Sequence, residues 1–259
     1  MRSTRDVISF LVILVLIGCA SASAQKKKPA KNDETNPQYQ YEMGVVALNY
    51  GLTDEAIRYG NLAVSLDPSH YNGHRLLGNA YYQKGDYAQA VAAFEKAVAL
   101  RPDQADGHFG LGLALFETGA LDRAAEEFGK AGAIKEDPNT GFYLAKVYYN
   151  QKKYDQALDE VQKCLKKKPR APEFYNLKGV ILNQLGRYAE AAGSFQAGLV
   201  LAPDDINIQV NLGIAYINSG EQDKARPVFE KVLPRVQDPT LKAKIESYLK
   251  SIKAPGGRA

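Results

Sequence analysis

The feature that most constrains this chain is a repeat within its own sequence. The segments Leu77–Asp103 and Leu111–Asp137 carry Leu-Gly, a second Gly, Ala and Phe at matching offsets. A small residue recurs every 33 or 34 positions, at Gly78, Gly112, Ala145, Gly179 and Gly213. A period of this length is typical of solenoids, in which each unit is one supersecondary motif that buries its apolar face only by stacking on its neighbours.

The residue types within each period indicate a helical hairpin. Glycine stands where a turn between two helices is expected, because a positive φ costs glycine little. Proline stands where the second helix ends, because it has no N–H to donate. The glycines are Gly51, Gly85, Gly119, Gly186 and Gly220, the prolines are Pro68, Pro102, Pro169 and Pro203, and the recurring aromatic residues are Phe94, Phe128, Phe195 and Phe229. Small residues at positions 8 and 20, an aromatic residue at 24 and a proline near 32 resemble the tetratricopeptide (TPR) repeat.

We therefore predict an all-α fold, a TPR solenoid of six helix-turn-helix repeats with a C-terminal capping helix. The repeats are assigned to residues 37–70, 71–104, 105–137, 138–171, 172–205 and 206–239, and the capping helix and tail to residues 240–259. Units one and four depart from the pattern, because Gly60 and Val161 stand where the aromatic residue belongs. Looser packing is expected at those two junctions.

The N-terminal segment predicts an export signal over residues 1–18. Val7–Ile17 is largely apolar, and as a helix it would rise only about 16 Å, which is too short to span a bilayer. Ala22–Ala24 fits an ordinary signal-peptidase site, whereas Leu16–Cys19 resembles the bacterial lipobox. The lipobox is favoured because it ends directly on the apolar run. The resemblance implies that Cys19 is lipidated and becomes the first residue, followed by a flexible tether up to residue 36.

The small net charge of the chain argues against nucleic acid as its main partner. Removal of residues 1–18 takes away Arg2, Arg5 and Asp6, so the formal charge falls from +4 to +3. A nearly balanced surface of this kind is unlike that of proteins whose main partner is nucleic acid. We therefore expect no nucleic-acid partner.

The sequence also lacks the motifs of catalysis. It contains no glycine-rich phosphate loop, no nucleophile elbow and no paired cysteine set. We expect no enzymatic activity, no small-molecule substrate, no metal and no cofactor apart from the covalent lipid on Cys19. His70, His74 and His108 are interpreted as packing or rim residues, and Cys164 as a small core residue.

Candidate binding residues lie on the first helix of each unit. In TPR proteins the concave face is lined mainly by positions 2, 5, 9, 12 and 13 of the first helices. In units three and four these positions are rich in apolar residues, which suits an amphipathic segment of a partner protein, although packing between units is an alternative role for them. Arg75 and Asn79 resemble part of a carboxylate clamp whose other members are absent. The predicted protein-binding groove consists of Arg75, Asn79, Tyr82, Phe109, Leu113, Phe116, Phe142, Lys146 and Tyr149.

A lipobox, a short tether and six TPR repeats are together similar in architecture to the pilotins, lipoproteins of type IV pilus systems. This resemblance implies an outer-membrane protein that faces the periplasm, binds secretin subunits and promotes their localisation and multimer assembly. Ala20 fits outer-membrane sorting, because Asp after the lipidated cysteine is the usual retention signal for the inner membrane. The alternative is a cell-envelope adaptor that recruits peptidoglycan enzymes.

Overall fold

The computed structural model describes residues 34–252 and consists there of helices joined by short turns. The predicted lipidation site Cys19 and nearly all of the predicted tether lie outside the described residues. The helices are α1 (Pro37–Asn49), α2 (Thr53–Leu66), α3 (Tyr71–Lys84), α4 (Tyr87–Leu100), α5 (Ala105–Glu117), α6 (Leu121–Ile134), α7 (Pro138–Asn150), α8 (Tyr154–Lys167), α9 (Pro172–Gln184), α10 (Tyr188–Leu201), α11 (Ile206–Asn218), α12 (Gln222–Val232) and α13 (Pro239–Ser251). Helices α1 to α12 form six antiparallel hairpins, one in each 33- or 34-residue unit.

Local chemistry sets the ends of these helices. Asn36, Asp137 and Asp205 accept hydrogen bonds from backbone N–H groups of the helices that follow them, which satisfies donors with no partner inside the helix. The turn within each hairpin requires a positive φ, which five units obtain from glycine. In unit four Lys152 occupies that place with a φ of 60°, so this turn is the most strained of the six.

The recurring phenylalanine packs between helices, and Phe94 shows how it joins one unit to the next. Phe94 is almost fully buried, and its ring lies against Gly78 of its own unit and Gly110 of the next. A Cβ atom at those two glycines would stand 2.8 and 2.4 Å from the ring, so any larger residue there would force the helices apart. Phe128 is shared in a similar way, since its ring stacks on Tyr143 of unit four. Buried residues of units two to four form one hydrophobic cluster, and a second cluster runs from unit four to the C-terminal helix.

The two exceptional units are packed by other residues. In unit one, Leu77 occupies the space beside Gly60, and a Cβ atom there would meet its Cδ2 at 2.7 Å. In unit four Val161 is fully buried, and Phe174 of the next unit stacks on Phe142 with ring centroids 4.9 Å apart. Side chains of the following unit therefore contribute packing at both junctions, and the expectation that these junctions are looser than the others stays a prediction.

The C-terminal helix closes the array. After α12 a short 3₁₀ turn, Leu233–Arg235, leads into α13. Ile245 is fully buried, and Tyr248 stacks on Phe229 of unit six at 5.5 Å. The predicted all-α TPR solenoid with a capping helix is confirmed. Within residues 34–252, no helix combines the length and apolarity needed to cross a membrane.

Candidate protein-binding face

The first helices of the hairpins form one continuous wall. Each first helix packs on its own second helix and also contacts the first helix of the next unit, as α3 does with α5. Side chains at equivalent positions of successive units therefore lie side by side along the wall. The predicted groove residues all belong to α3, α5 and α7.

The aromatic floor is the name used here for the apolar strip of units three and four: Phe109, Leu113, Phe116, Phe142 and Tyr149. All five side chains are half-buried, so each packs on the core with one side and leaves the other open. Phe109 lies edge-on to the buried Phe128 at 5.7 Å, and Phe142 stacks on Phe174. The packing role is therefore observed, because these residues join the units, while their use in binding a partner stays a prediction.

Tyr143 is a member of this surface that the sequence reasoning missed. Its ring stacks on Phe128 at 5.8 Å and meets Phe109 and Phe142 edge-on at 5.6 and 5.7 Å. It occupies position 6 of unit four, where unit three has Gly110. Position 6 differs in every other unit except that units two and five both have leucine, so the repeat pattern gave no signal that Tyr143 would join this surface.

Lys146 places a positive charge over the aromatic floor. Its Nζ lies 5.0 Å from the ring centroid of Tyr143, 5.1 Å from that of Phe116 and 6.0 Å from that of Phe142. The negative face of an aromatic ring attracts a cation at such distances. The floor is therefore an apolar surface with one ammonium group near its middle.

Arg75 pairs with residues of the neighbouring units and not with the aromatic floor. Its guanidinium forms an ion pair with Asp106 of the next unit at 3.0 Å and donates a hydrogen bond to the Tyr41 hydroxyl at 3.2 Å. The Tyr71 hydroxyl also donates to Asp106, at 2.5 Å, and burial together with this carboxylate raises the pKa of Tyr71. The structure thus brings Arg75 to a link between units one, two and three. Asn79 is exposed one helical turn further on.

Tyr82 forms the same kind of link between units. Its hydroxyl donates to Glu117 at 3.4 Å and its ring lies against Tyr87 at 5.4 Å. Burial, with the nearby Glu117 carboxylate, raises the pKa of Tyr82 to about 12. The tyrosine therefore stays neutral at physiological pH.

The amides of units five and six are paired with one another. Asn211 donates to Asn176 at 2.9 Å, and Asn218 donates to Asn183 at 3.3 Å. Both pairs join residues 35 positions apart, as Tyr71–Asp106 and Tyr82–Glu117 do. This part of the wall uses its polar groups to hold units together, which distinguishes it from the aromatic floor.

The histidines serve the connectors between units. His74 and His108 stand at position 4 of their units, and in each the Nε2 atom lies 2.9 Å from a proline carbonyl six residues earlier. Gln209, at position 4 of unit six, donates to the Pro203 carbonyl in the same way. In units two, three and six, this contact holds the connector before the hairpin against the first helix of that hairpin. The contact agrees with a packing role for His74 and His108. Within residues 34–252, no cluster of His, Cys, Asp and Glu is arranged to hold a metal ion.

His108 also takes part in a buried charged cluster. Its Nδ1 lies 2.5 Å from Glu127, and Lys130 donates to the other oxygen of that carboxylate at 2.7 Å. Burial is the largest influence on Glu127 and acts to raise its pKa, but the bonds from Lys130 and His108 together lower it below its ordinary value. Glu127 therefore remains ionised inside unit three.

Comparison with known proteins identifies the repeats. Sequence models of the "TPR repeat" and "Tetratricopeptide repeat" families match residues 78–119, 143–206 and 182–245. Human tetratricopeptide repeat protein 28 is 32% identical over 85 residues, which are 33% of this chain, and the chain spans only 3% of that relative's length. The prediction of TPR repeats is confirmed.

Solved structures share the fold over most of the chain. A chain in the crystal structure of the APC/C hetero-tetramer Cut9-Hcn1 matches with a TM-score of 0.69 and 18% identity, over 86% of this chain and 44% of that chain. The pilF protein of Pseudomonas aeruginosa also matches with a TM-score of 0.69, at 17% identity, over 82% of this chain and 96% of its own. At these identities the likeness concerns the fold alone.

Proposed function

We propose that this chain of tetratricopeptide repeats is an outer-membrane lipoprotein that binds secretin subunits and promotes their assembly into a multimer, as pilotins do. The broader function, a TPR scaffold for protein interaction, follows from the repeats themselves. The finer assignment draws on the lipobox ending in Cys19, the number of repeats and the likeness of fold to the P. aeruginosa pilF protein. The lipid would fix the protein at the membrane while the wall of first helices recognises the client.

The observation that carries the proposal is the aromatic floor. Elsewhere the wall carries polar pairs such as Asn176–Asn211 and Arg75–Asp106, and its half-buried apolar side chains in units five and six, such as Ile214 and Ile217, are aliphatic. In units three and four the side chains that face out are half-buried aromatic and aliphatic groups. Such an apolar strip is suited to the apolar face of a helix or an extended segment. Nothing in this arrangement requires a nucleophile, a general base or a bound cofactor.

The test is a substitution on the floor with a matched control. Phe116 is suited to it, because Phe109 and Phe142 also pack on Phe128 and Phe174 and their loss would disturb the core. Ile217 occupies the same repeat position in unit six and is also half-buried. Loss of a buried aromatic anchor costs about 2 kcal/mol or more at a hot spot, roughly thirtyfold in affinity.

Phe116→Ala is therefore expected to weaken binding to the purified secretin of the same organism about thirtyfold and to reduce heat-resistant secretin multimers in cells. Ile217→Ala is expected to leave both near wild type. Circular dichroism and thermal melting would verify that the two variants remain folded. Normal secretin multimers in cells that carry folded Phe116→Ala protein would contradict the proposal. Multimers that persist when the gene is deleted would also contradict it, and a cell-wall defect in that strain would favour the peptidoglycan adaptor.

A further inference from the structure

Lys146 gives the aromatic floor a chemical requirement that its apolar residues alone do not have. The ammonium group lies between 5.0 and 6.0 Å from three ring centroids, on a half-buried side chain. Within residues 34–252, no Asp or Glu oxygen lies at ion-pair distance from its Nζ. Arg75 differs in this respect, since it is already paired with Asp106.

A client that covers the floor must therefore accommodate this charge. An ammonium group that loses its water without gaining an anionic partner is strongly destabilised. The three rings compensate only part of that loss, because a cation over an aromatic face is weaker than a charge-assisted hydrogen bond. Binding of a purely apolar segment would thus be opposed by Lys146, whereas a segment with a carboxylate would gain from it.

The position of Lys146 indicates where that carboxylate sits in the client. Phe142 lies one helical turn before Lys146 on α7, and Tyr149 lies almost one turn after it. Apolar surface therefore continues on both sides of the ammonium group. A chain terminus bound at Lys146 would leave half of the floor uncovered, so a side chain in the interior of the client segment fits better than a C-terminal carboxylate.

We propose that the aromatic floor selects an apolar segment that carries an acidic side chain within its contact face, and that Lys146 pairs with that carboxylate. The inference rests on the proposed function to the extent that the floor is the client site. It goes further by stating the chemistry of the segment. It also makes Lys146 a specificity residue: it favours acidic amphipathic segments and opposes segments that are apolar throughout or basic.

A selection experiment tests this even while the client segment is unidentified. A library of randomised amphipathic helical peptides is displayed on phage and selected against the purified full-length protein in detergent, and in parallel against Lys146→Met. Peptides from the first selection are expected to carry Glu or Asp within the apolar face. That enrichment is expected to be absent from the second selection, although every other lysine of the surface is unchanged.

Selected acidic peptides are expected to bind Lys146→Met about ten- to a hundredfold more weakly than the wild type. The same change is expected when the acidic residue of the peptide is replaced by its amide. Peptides that bind the floor but show no acidic preference would overturn this inference and leave the proposed binding site standing.

Two further outcomes concern the site itself. Selected peptides that bind Phe116→Ala as tightly as the wild type would show that the floor is not the binding surface. Selections that yield no binder would also show that the floor is not the binding surface. Either result would overturn both this inference and the proposed use of the floor, whereas weaker binding of the selected peptides to both Lys146→Met and Phe116→Ala would support them.

Discussion

Two glycines of unit three allow the same substitution, Gly→Ala, with opposite expected effects on the stability of the protein. Gly112 lies in α5 and Gly129 in α6, and both are helical residues of one hairpin. A Cβ atom at Gly112 would stand 2.8 Å from Cε1 of Phe128, well inside ordinary van der Waals contact, whereas a Cβ atom at Gly129 would meet nothing within 4 Å. The two sites therefore separate the packing effect of a methyl group from its effect on the helix.

The size of the stability change depends on how far the ring of Phe128 can move. Its ring is fully buried and held between Phe109 at 5.7 Å and Tyr143 at 5.8 Å, so it has little room to turn away. Overpacking of this kind costs about 1–3 kcal/mol, and the confined ring places Gly112→Ala near the upper end. The gain in helix propensity from Gly to Ala is roughly 1 kcal/mol. Gly112→Ala is thus expected to destabilise the protein by about 1–2 kcal/mol, and Gly129→Ala to stabilise it by about 0.5–1 kcal/mol.

The assay is chemical denaturation followed by circular dichroism, with the midpoint and the slope fitted for both variants and the wild type. Equal slopes are needed for a comparison of free energies, because repeat arrays do not always unfold in one step. If Gly112→Ala proved as stable as Gly129→Ala, Phe128 would not be wedged against α5. The explanation that glycine is needed there to leave room for the phenylalanine ring would then be wrong.

Two other predictions concern the N-terminus and the buried cluster. Cys19→Ala is expected to abolish lipid attachment and membrane retention; an intact mass for the wild-type protein that starts at Gln25 without lipid would contradict the lipobox interpretation. The pKa of Glu127 is lowered below its ordinary value of 4.5, so its carboxylate contributes stability above about pH 4.5 that is lost as the pH falls through the folded-state pKa. Glu127→Gln is therefore expected to be less stable than the wild type at neutral pH and to approach it in acid; parallel curves of unfolding free energy between pH 7 and 3 would show that the carboxylate contributes nothing.

Much of the fold could be predicted from residue types alone. Gly85, Phe94 and Pro102 mark a turn, an inter-unit contact and a helix end, and each role depends on local backbone or steric properties that any copy of the repeat shares. The position of the apolar strip in units three and four also followed from the repeat numbering, because one position of the period always lies at one place on the hairpin. The packing of units one and four, which lack the recurring aromatic residue, could not be predicted in this way, since Leu77 and Phe174 contribute to it from the neighbouring unit.

The sequence by itself therefore determined the hairpins, their number and the face on which the candidate binding residues lie. Only the tertiary structure decided which of those residues remain available to a partner. Arg75 resembled a ligand-binding group in the sequence, yet in the structure it forms an ion pair with Asp106 of the next unit. Lys146 was predicted only as one of the groove residues, and the structure places it over three rings with no acidic partner among the residues that it describes. The reason is geometric: contacts across units join residues about 34 positions apart, and their pairing depends on how far each hairpin rotates on the one before it, which the chemistry of a single unit does not specify.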